Sequence, residues 1–291
     1  MILSHFFQWN DYCIFSFITT HYRSKKMKRQ NRKTWSALIA AVMLGFGLFT
    51  VTSPANAALI KTDIVMLVDE SGSMSTIHNN LRDSIGTFAS ILQNGGLDAQ
   101  FALIGYGFAG DSIRLLSDFV DAAGFASAMA GITPVGADEP AYDATAYALE
   151  ALPSEQPGLS YRDDAVKNLI LFADEASNSD NYFDADSLDG VLKDNSALFN
   201  VVLGGDFSEL IDLALNNGGN SFDLNELNTT VQSEIDDFVT NFAEVKLQET
   251  VDFCDQNPDH TACTDSEPVP APAGIALLSL GLLLLTRRKF G

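Results

Sequence analysis

Ile64-Val65-Met66-Leu67-Val68-Asp69-Glu70-Ser71-Gly72-Ser73-Met74-Ser75 is an apolar run that stops abruptly at a carboxylate, followed by hydroxyls at alternate positions. Five consecutive apolar residues bounded by polar turn residues suit a strand buried on both faces of a parallel sheet. Asp69, Ser71 and Ser73 then fall on the loop at that strand's carboxyl end, the edge at which open α/β sheets bind their ligands. Three hard oxygen donors from one loop are what a small divalent cation needs, and Gly72 lets the backbone turn tightly enough to present them.

Outward from this stretch, strand-like and helix-like segments alternate. Ser75 to Gln93 reads as a helix, with Ile77, Leu81, Ile85, Phe88 and Leu92 at spacings of three and four. Gln100 to Tyr106 reads as a strand, and Ile113 to Leu116 as a short one pairing with it as a hairpin or edge. Phe119 to Met129 is a weaker helix, and Pro140 to Leu152 a better one. Asn168 to Ala173 is a second buried strand that stops at an acid, Asp174. Leu188 to Lys193 is helical, Leu198 to Leu203 a strand, and Phe207 to Leu215 and Leu224 to Val245 helices separated by Asn216-Asn217-Gly218-Gly219. The alternation predicts a single α/β domain over residues 58–249, a doubly wound, mostly parallel sheet flanked by helices.

Asp-x-Ser-x-Ser after a buried strand resembles the signature of the von Willebrand factor type A (vWA) domain. The loop looks like that family's metal-ion-dependent adhesion site (MIDAS). The resemblance implies a Rossmann-like fold and a bound Mg²⁺, or Mn²⁺ or Ca²⁺, held by Asp69, Ser71 and Ser73. It also implies an open coordination position for a partner's carboxylate. Asp174 matches the acid of a later loop that reaches the metal through water. The middle loop, Gly136-Ala137-Asp138-Glu139-Pro140-Ala141, departs from the family's threonine and from its Asp-x-Pro-Glu variant. Asp138 falls at the expected place, with Glu139 and Thr133 as the other candidates. The acid-rich run Asp180 to Gly190 lacks the spacing of a helix-loop-helix calcium site and reads as a solvated loop.

Charge is unevenly distributed over the 291 residues, whose formal net charge is −21. Between Ala58 and Pro272 there are seven basic against 37 acidic residues, a formal charge of −30. Such a surface repels nucleic acid and anionic membranes and attracts cations or basic partners. Lys28, Arg29, Arg32 and Lys33 precede an apolar segment, Ala37 to Val51, and then Ser53-Pro54-Ala55-Asn56-Ala57-Ala58. This is the layout of a secretory signal peptide over residues 27–57, cleaved between Ala57 and Ala58. Residues 1–26 are then an upstream extension ahead of a start at Met27. An uncleaved amino-terminal anchor is the alternative.

At the other end, Val269-Pro270-Ala271-Pro272 precedes an apolar run from Ala273 to Leu285 and then Arg287, Arg288 and Lys289. The order resembles the PEP-CTERM sorting tail, here as a Pro-Ala-Pro variant over residues 269–291. That resemblance implies export in a Gram-negative bacterium, transient anchoring of the tail in the inner membrane, and processing by an exosortase-type enzyme. The destination implied is the outer surface or the extracellular matrix. Residues 250–268 read as a linker. Within it Cys254 and Cys263 are a pair that an oxidising compartment would join as a disulfide.

Enzyme chemistry finds little support. An aspartyl-phosphate hydrolase needs a second Asp where Ser71 stands. A serine hydrolase needs a histidine base, and beyond residue 58 there are only His78 and His260. His78, on the helix after the metal loop, reads as a surface residue. The expectation is a non-enzymatic, metal-dependent binding protein for a carboxylate-bearing protein or acidic polysaccharide. The alternative is a structural matrix or envelope component whose metal only stabilises the fold.

Overall fold

The computed structural model of the protein describes residues 59–108, 112–153 and 155–264. The leader with its Ala57–Ala58 cleavage, and the tail with Pro270, Ala271, Pro272, Arg287 and Arg288, lie outside the described residues. Among the described residues no helix is long and apolar enough to cross a membrane.

Strand β1, Ile60–Asp69, lies inside a six-stranded sheet. The others are β2 (Leu97–Phe108), β3 (Ser112–Val120), β4 (Val166–Ala173), β5 (Leu198–Leu203) and β6 (Ser221–Asp223), and their order is β3-β2-β1-β4-β5-β6. All neighbours are parallel except β2 and β3. The position of β1 follows from its composition, because no residue from Ile64 to Val68 is more than 1% exposed. Val65 and Leu67 enter one apolar cluster, and Ile64, Met66 and Val68 the other. Removing such a side chain from water contributes about 1.5–3 kcal/mol.

Among the described residues six helices complete the layers: α1 (Ser75–Asn94), α2 (Ala122–Ala128), α3 (Ala141–Ala148), α4 (Ala185–Asp194), α5 (Ser208–Asn216) and α6 (Gln232–Gln256). Helices α3, α4 and α5 bury their apolar faces in the first cluster, and α1, α2 and α6 in the second. This is the doubly wound α/β arrangement that the alternation implied. The stripe Ile77, Leu81, Ile85, Phe88 and Leu92 is the buried face of α1.

Three local readings differ from the structure. Helix α2 begins only at Ala122, because Phe119 and Val120 extend the edge strand β3 along β2. The stretch expected to be helical from Leu224 is preceded by β6 and opens with a short 3₁₀ turn, Leu224–Glu226; α6 starts at Gln232. Pairing of β6 with Val201–Leu203 of β5 is a long-range contact to which local periodicity is blind.

The third difference concerns the linker. Residues 250–264 are the last turns of α6 and a set of turns folded onto the domain. Thr250 and Cys254 continue the buried stripe of α6, and the Thr261 hydroxyl donates to the Asp163 carbonyl at 2.8 Å. The Cys254–Cys263 disulfide, with Cα atoms 5.1 Å apart, packs against Val166 and Leu198. It therefore lies against the amino-terminal ends of β4 and β5 rather than within a separate linker.

Candidate metal centre

At the carboxyl end of β1, Asp69 is fully buried and its carboxylate organises the loop that follows. One oxygen accepts the Ser71 N–H at 2.7 Å and the other the Ser71 hydroxyl at 3.2 Å. Ser71 Oγ also lies 3.0 Å from Ser73 Oγ and 3.4 Å from Asp174 Oδ1. Asp174 follows the end of β4, the neighbour of β1, so parallel pairing carries it to the same edge. Asp69, Ser71, Ser73 and Asp174 thus converge from two loops, and all offer oxygen.

The middle loop is tied over this edge through Glu70, which the sequence reading passed over. The Glu70 carbonyl accepts the N–H groups of Val135 and Gly136, both at 3.0 Å. Its fully buried carboxylate accepts the Thr133 N–H at 2.9 Å and is forked by Arg114 of β3, whose Nε donates at 2.7 Å. Glycine is required where the loop meets β2: a Cβ on Gly136 would overlap the Gly107 carbonyl, and Gly107 itself has φ +76°.

The three middle-loop candidates separate in this setting. The Asp138 side chain accepts from the Ser179 hydroxyl at 3.1 Å; it is the Asp138 backbone carbonyl that lies against Gly107. The exposed Thr133 hydroxyl donates to the Gly131 carbonyl. Glu139 is 2% exposed, bonded at Oε2 by Asn178 Nδ2, and its charge is felt at Asp69. Of the three, Glu139 is the buried one and its charge bears on Asp69 and Asp174, while Asp138, favoured on position, bonds Ser179 through its side chain.

Electrostatically the site is buried and acidic. Burial, then the nearby Asp174 and Glu139, pushes the Asp69 carboxyl well above the usual carboxylate range. Burial likewise raises Glu139, with Glu175, Asp174 and Asp138 adding to it. Among the described residues no basic side chain pairs with Asp69, Glu139 or Asp174. Nor do three or more His, Cys, Asp or Glu side chains gather as a metal cluster there. The candidate set mixes carboxylates with hydroxyls, a donor chemistry that fits a hard cation such as Mg²⁺.

His78 is 7% exposed rather than a surface residue, and its Nε2 lies 2.7 Å from the Asp69 carbonyl oxygen. Burial lowers its pKa, so the neutral ring donates and fixes the backbone at the end of β1. It positions the loop.

The acid-rich segment is largely exposed, as a solvated loop would be, but it is tied down and runs into α4 from Ala185. Asp143, on α3 and 3% exposed, accepts the N–H groups of Asn181, Tyr182 and Phe183 at 2.7, 3.2 and 2.9 Å. Asp180 returns the contact, accepting the Asp143 N–H at 2.9 Å and the Ser177 hydroxyl at 2.6 Å. Asp184 caps α4 by accepting the Ser187 N–H at 2.9 Å. The segment is a brace that holds the loop after Asp174 to α3.

Burial raises Asp180 from 3.8 to about 6. The cost of its charge to folding is therefore absent below the unfolded pKa, builds as pH rises from there to about 6, and is full above that value. Asp180→Asn keeps an acceptor for Asp143 and loses the charge. We expect it to stabilise the domain by about 1 kcal/mol near neutral pH, a figure discounted for partial solvation. The gain should vanish at about pH 4. Thermal melts at the two pH values check this, and an equal gain at both would refute it.

A sequence model of the von Willebrand factor type A domain matches residues 63–240. Among solved structures, the SpRpn10 VWA domain is 17% identical with a TM-score of 0.43, covering 57% of this chain and 93% of its own. Proximal thread matrix protein 1 from the mussel byssus is 17% identical with a TM-score of 0.46, covering 64% of this chain and 47% of its own. A second crystal form of the mussel protein is 18% identical, with a TM-score of 0.41 and coverage of 66% and 47%. No curated protein sequence matches the chain.

Proposed function

The chain belongs to the von Willebrand factor type A domain family, and from that premise we propose that it is an exported binding protein acting through its metal loop. The observation that carries the reading is the meeting of Asp69, Ser71, Ser73 and Asp174 around the Ser71 hydroxyl. These residues, joined by Glu139, would hold Mg²⁺, with Mn²⁺ or Ca²⁺ as substitutes. When bound, the ion would supply a Lewis-acidic position for a carboxylate oxygen of a protein or acidic polysaccharide partner. The chain's own part is positional: His78 fixes the turn after Asp69, and Glu70 with Arg114 fixes the loop that carries Glu139. Its acidity argues against nucleic acid as a partner, and nothing in this reading makes it an enzyme.

Delivery follows from the two ends: a leader cleaved after Ala57, and a tail recognised at Pro270-Ala271-Pro272 and at Arg287 and Arg288. The destination proposed is the outer surface or extracellular matrix of a Gram-negative cell. The buried Asp69 also favours a second reading, a matrix component whose cation only relieves carboxylate repulsion and so stabilises the fold. Chelation with EDTA, and Asp69→Ala, distinguish the two. Adhesion predicts loss of attachment to the producing cell's envelope at a temperature where circular dichroism still reports a folded domain. A lower melting temperature with attachment unchanged would leave only the structural reading.

A further inference from the structure

Helix α6 carries an unexpected pair of charges on its buried face. Ile235, Phe238, Val239, Phe242 and Ala243 form an apolar stripe, and the same spacing continues into Lys246, Glu249 and Thr250. Lys246 is 0% exposed. Its Nζ donates to Glu249 Oε2 at 2.6 Å and to Oδ1 of Asn200 on β5. The rings of Phe222 and Phe242 stand 5.0 and 5.4 Å from it.

Asn200, also 0% exposed, is set up as an electrophile. Its Oδ1 accepts a second donor, the Asn220 N–H at 2.8 Å, so two donors polarise one carbonyl. Its Nδ2 donates to Asn168 Oδ1 at 3.1 Å. The carbonyl bond is only about 1.2 Å long, so a Nζ touching Oδ1 is within reach of Cγ. The other Glu249 oxygen accepts from Asn220 Nδ2 at 2.5 Å, which holds the carboxyl beside Nζ.

We propose that the protein joins Lys246 to Asn200 through an intramolecular isopeptide bond, with Glu249 carrying the proton. The neutral Nζ attacks Cγ, forming the Nζ–Cγ bond and moving an electron pair onto Oδ1, which the Asn220 N–H receives. Glu249 takes one proton from Nζ and passes it to Nδ2. As the carbonyl reforms, the Cγ–Nδ2 bond breaks and ammonia departs. An amine and a primary amide have become a secondary amide and ammonia, so no oxidant, reductant or co-reactant is needed. Burial favours the uncharged amine, lowering Lys246 to about 8. The fixed geometry replaces a bimolecular encounter.

The product would close a loop between positions 46 apart and tie α6 to β5 covalently. As with a disulfide, such a link lowers the entropy of the unfolded chain. Unlike a disulfide, it survives reduction. It would give an exported domain a second staple near the Cys254–Cys263 bridge.

The test is mass spectrometry of the full chain after reduction of the disulfide. Cleavage at acidic residues such as Asp206 and Glu234 separates residue 200 from residue 246 unless they are linked. The expected result is one joined species lighter than its two fragments by one ammonia, about 17 Da. Glu249→Gln and Lys246→Met, each checked for folding by circular dichroism, should release two separate fragments at full mass. Separate full-mass fragments from the wild-type chain, after incubation in mildly alkaline buffer, would overturn the bond. A Glu249→Gln chain joined as completely as wild type would overturn the role of Glu249.

Discussion

Replacing Arg162 with alanine should destabilise the domain by about 3–5 kcal/mol, because it strands a buried carboxylate. Asp63 of β1 is 0% exposed and accepts both the Arg162 N–H and its Nε, each at 2.7 Å. The guanidinium also donates to Asp98 Oδ2 at 2.9 Å, and to the backbone carbonyls of Thr62 and Asp98 at 3.0 and 2.9 Å. Removing it takes a donor from two carbonyls and from the carboxylates of Asp63 and Asp98, and leaves the buried Asp63 with only the backbone N–H of residue 162. Burial already raises Asp63 despite the arginine.

In Arg162→Ala that carboxyl should rise further, so the charge costs most at alkaline pH and is relieved by protonation as pH falls. Denaturant melts should therefore show a larger deficit at about pH 8 than at about pH 5. Adding Asp63→Asn to Arg162→Ala should recover much of the loss. An Arg162→Ala chain within 1 kcal/mol of wild type at both pH values would show that Asp63 is not buried as an ion. The pair lies at the opposite end of β1 from Asp69, about 20 Å away at strand spacing. Attachment by the molecules that remain folded should thus be unaffected.

Gly136→Ala should do the reverse, injuring the site more than the fold. The added methyl would overlap the Gly107 carbonyl, and backbone faces backbone there, so neither side can yield by changing a rotamer. The loop must lift, and the Val135 and Gly136 N–H bonds to the Glu70 carbonyl go with it. Two hydrogen bonds lost over a buried acceptor cost about 2–4 kcal/mol. The same displacement carries Glu139 away from Asp69. The expected result is a folded chain of lowered melting temperature whose metal-dependent attachment falls at least tenfold. Calorimetry with Mg²⁺ and an attachment assay at one temperature would check both arms. Unchanged attachment would mean that the middle loop does not complete the site.

Much of the molecule was legible from local pattern. The apolar run Ile64–Val68 announced a strand covered on both faces, and the stripe from Ile77 to Leu92 announced α1, because burial follows periods of two and 3.6. Asp69, Ser71 and Ser73 were legible because one loop supplies all three. Asp174 was legible because it ends a strand of the same kind, and parallel neighbours bring their carboxyl ends together. The resemblance to the vWA family rested on those residues. Lys246 and Glu249 could have been found too, since their spacing places them on the apolar face of α6.

What the sequence by itself determined, then, was the doubly wound sheet and the first loop of the site, because each strand, helix and loop behind them is encoded in a short local pattern. Tertiary structure alone decided which middle-loop acid is buried. Asp138 and Glu139 are adjacent acids, and their roles were set by distant partners: Ser179 drew Asp138 outward, and Asn178 held Glu139 inward. It also decided that Glu70 is an anchor paired with Arg114 and that His78 is buried beneath the loop. Likewise it showed that the segment ending at Cys263 belongs to the domain. Apart from the His78 bond to Asp69, nine residues back, each depends on a contact between residues far apart in the chain, and a side chain's burial is fixed by what arrives from elsewhere.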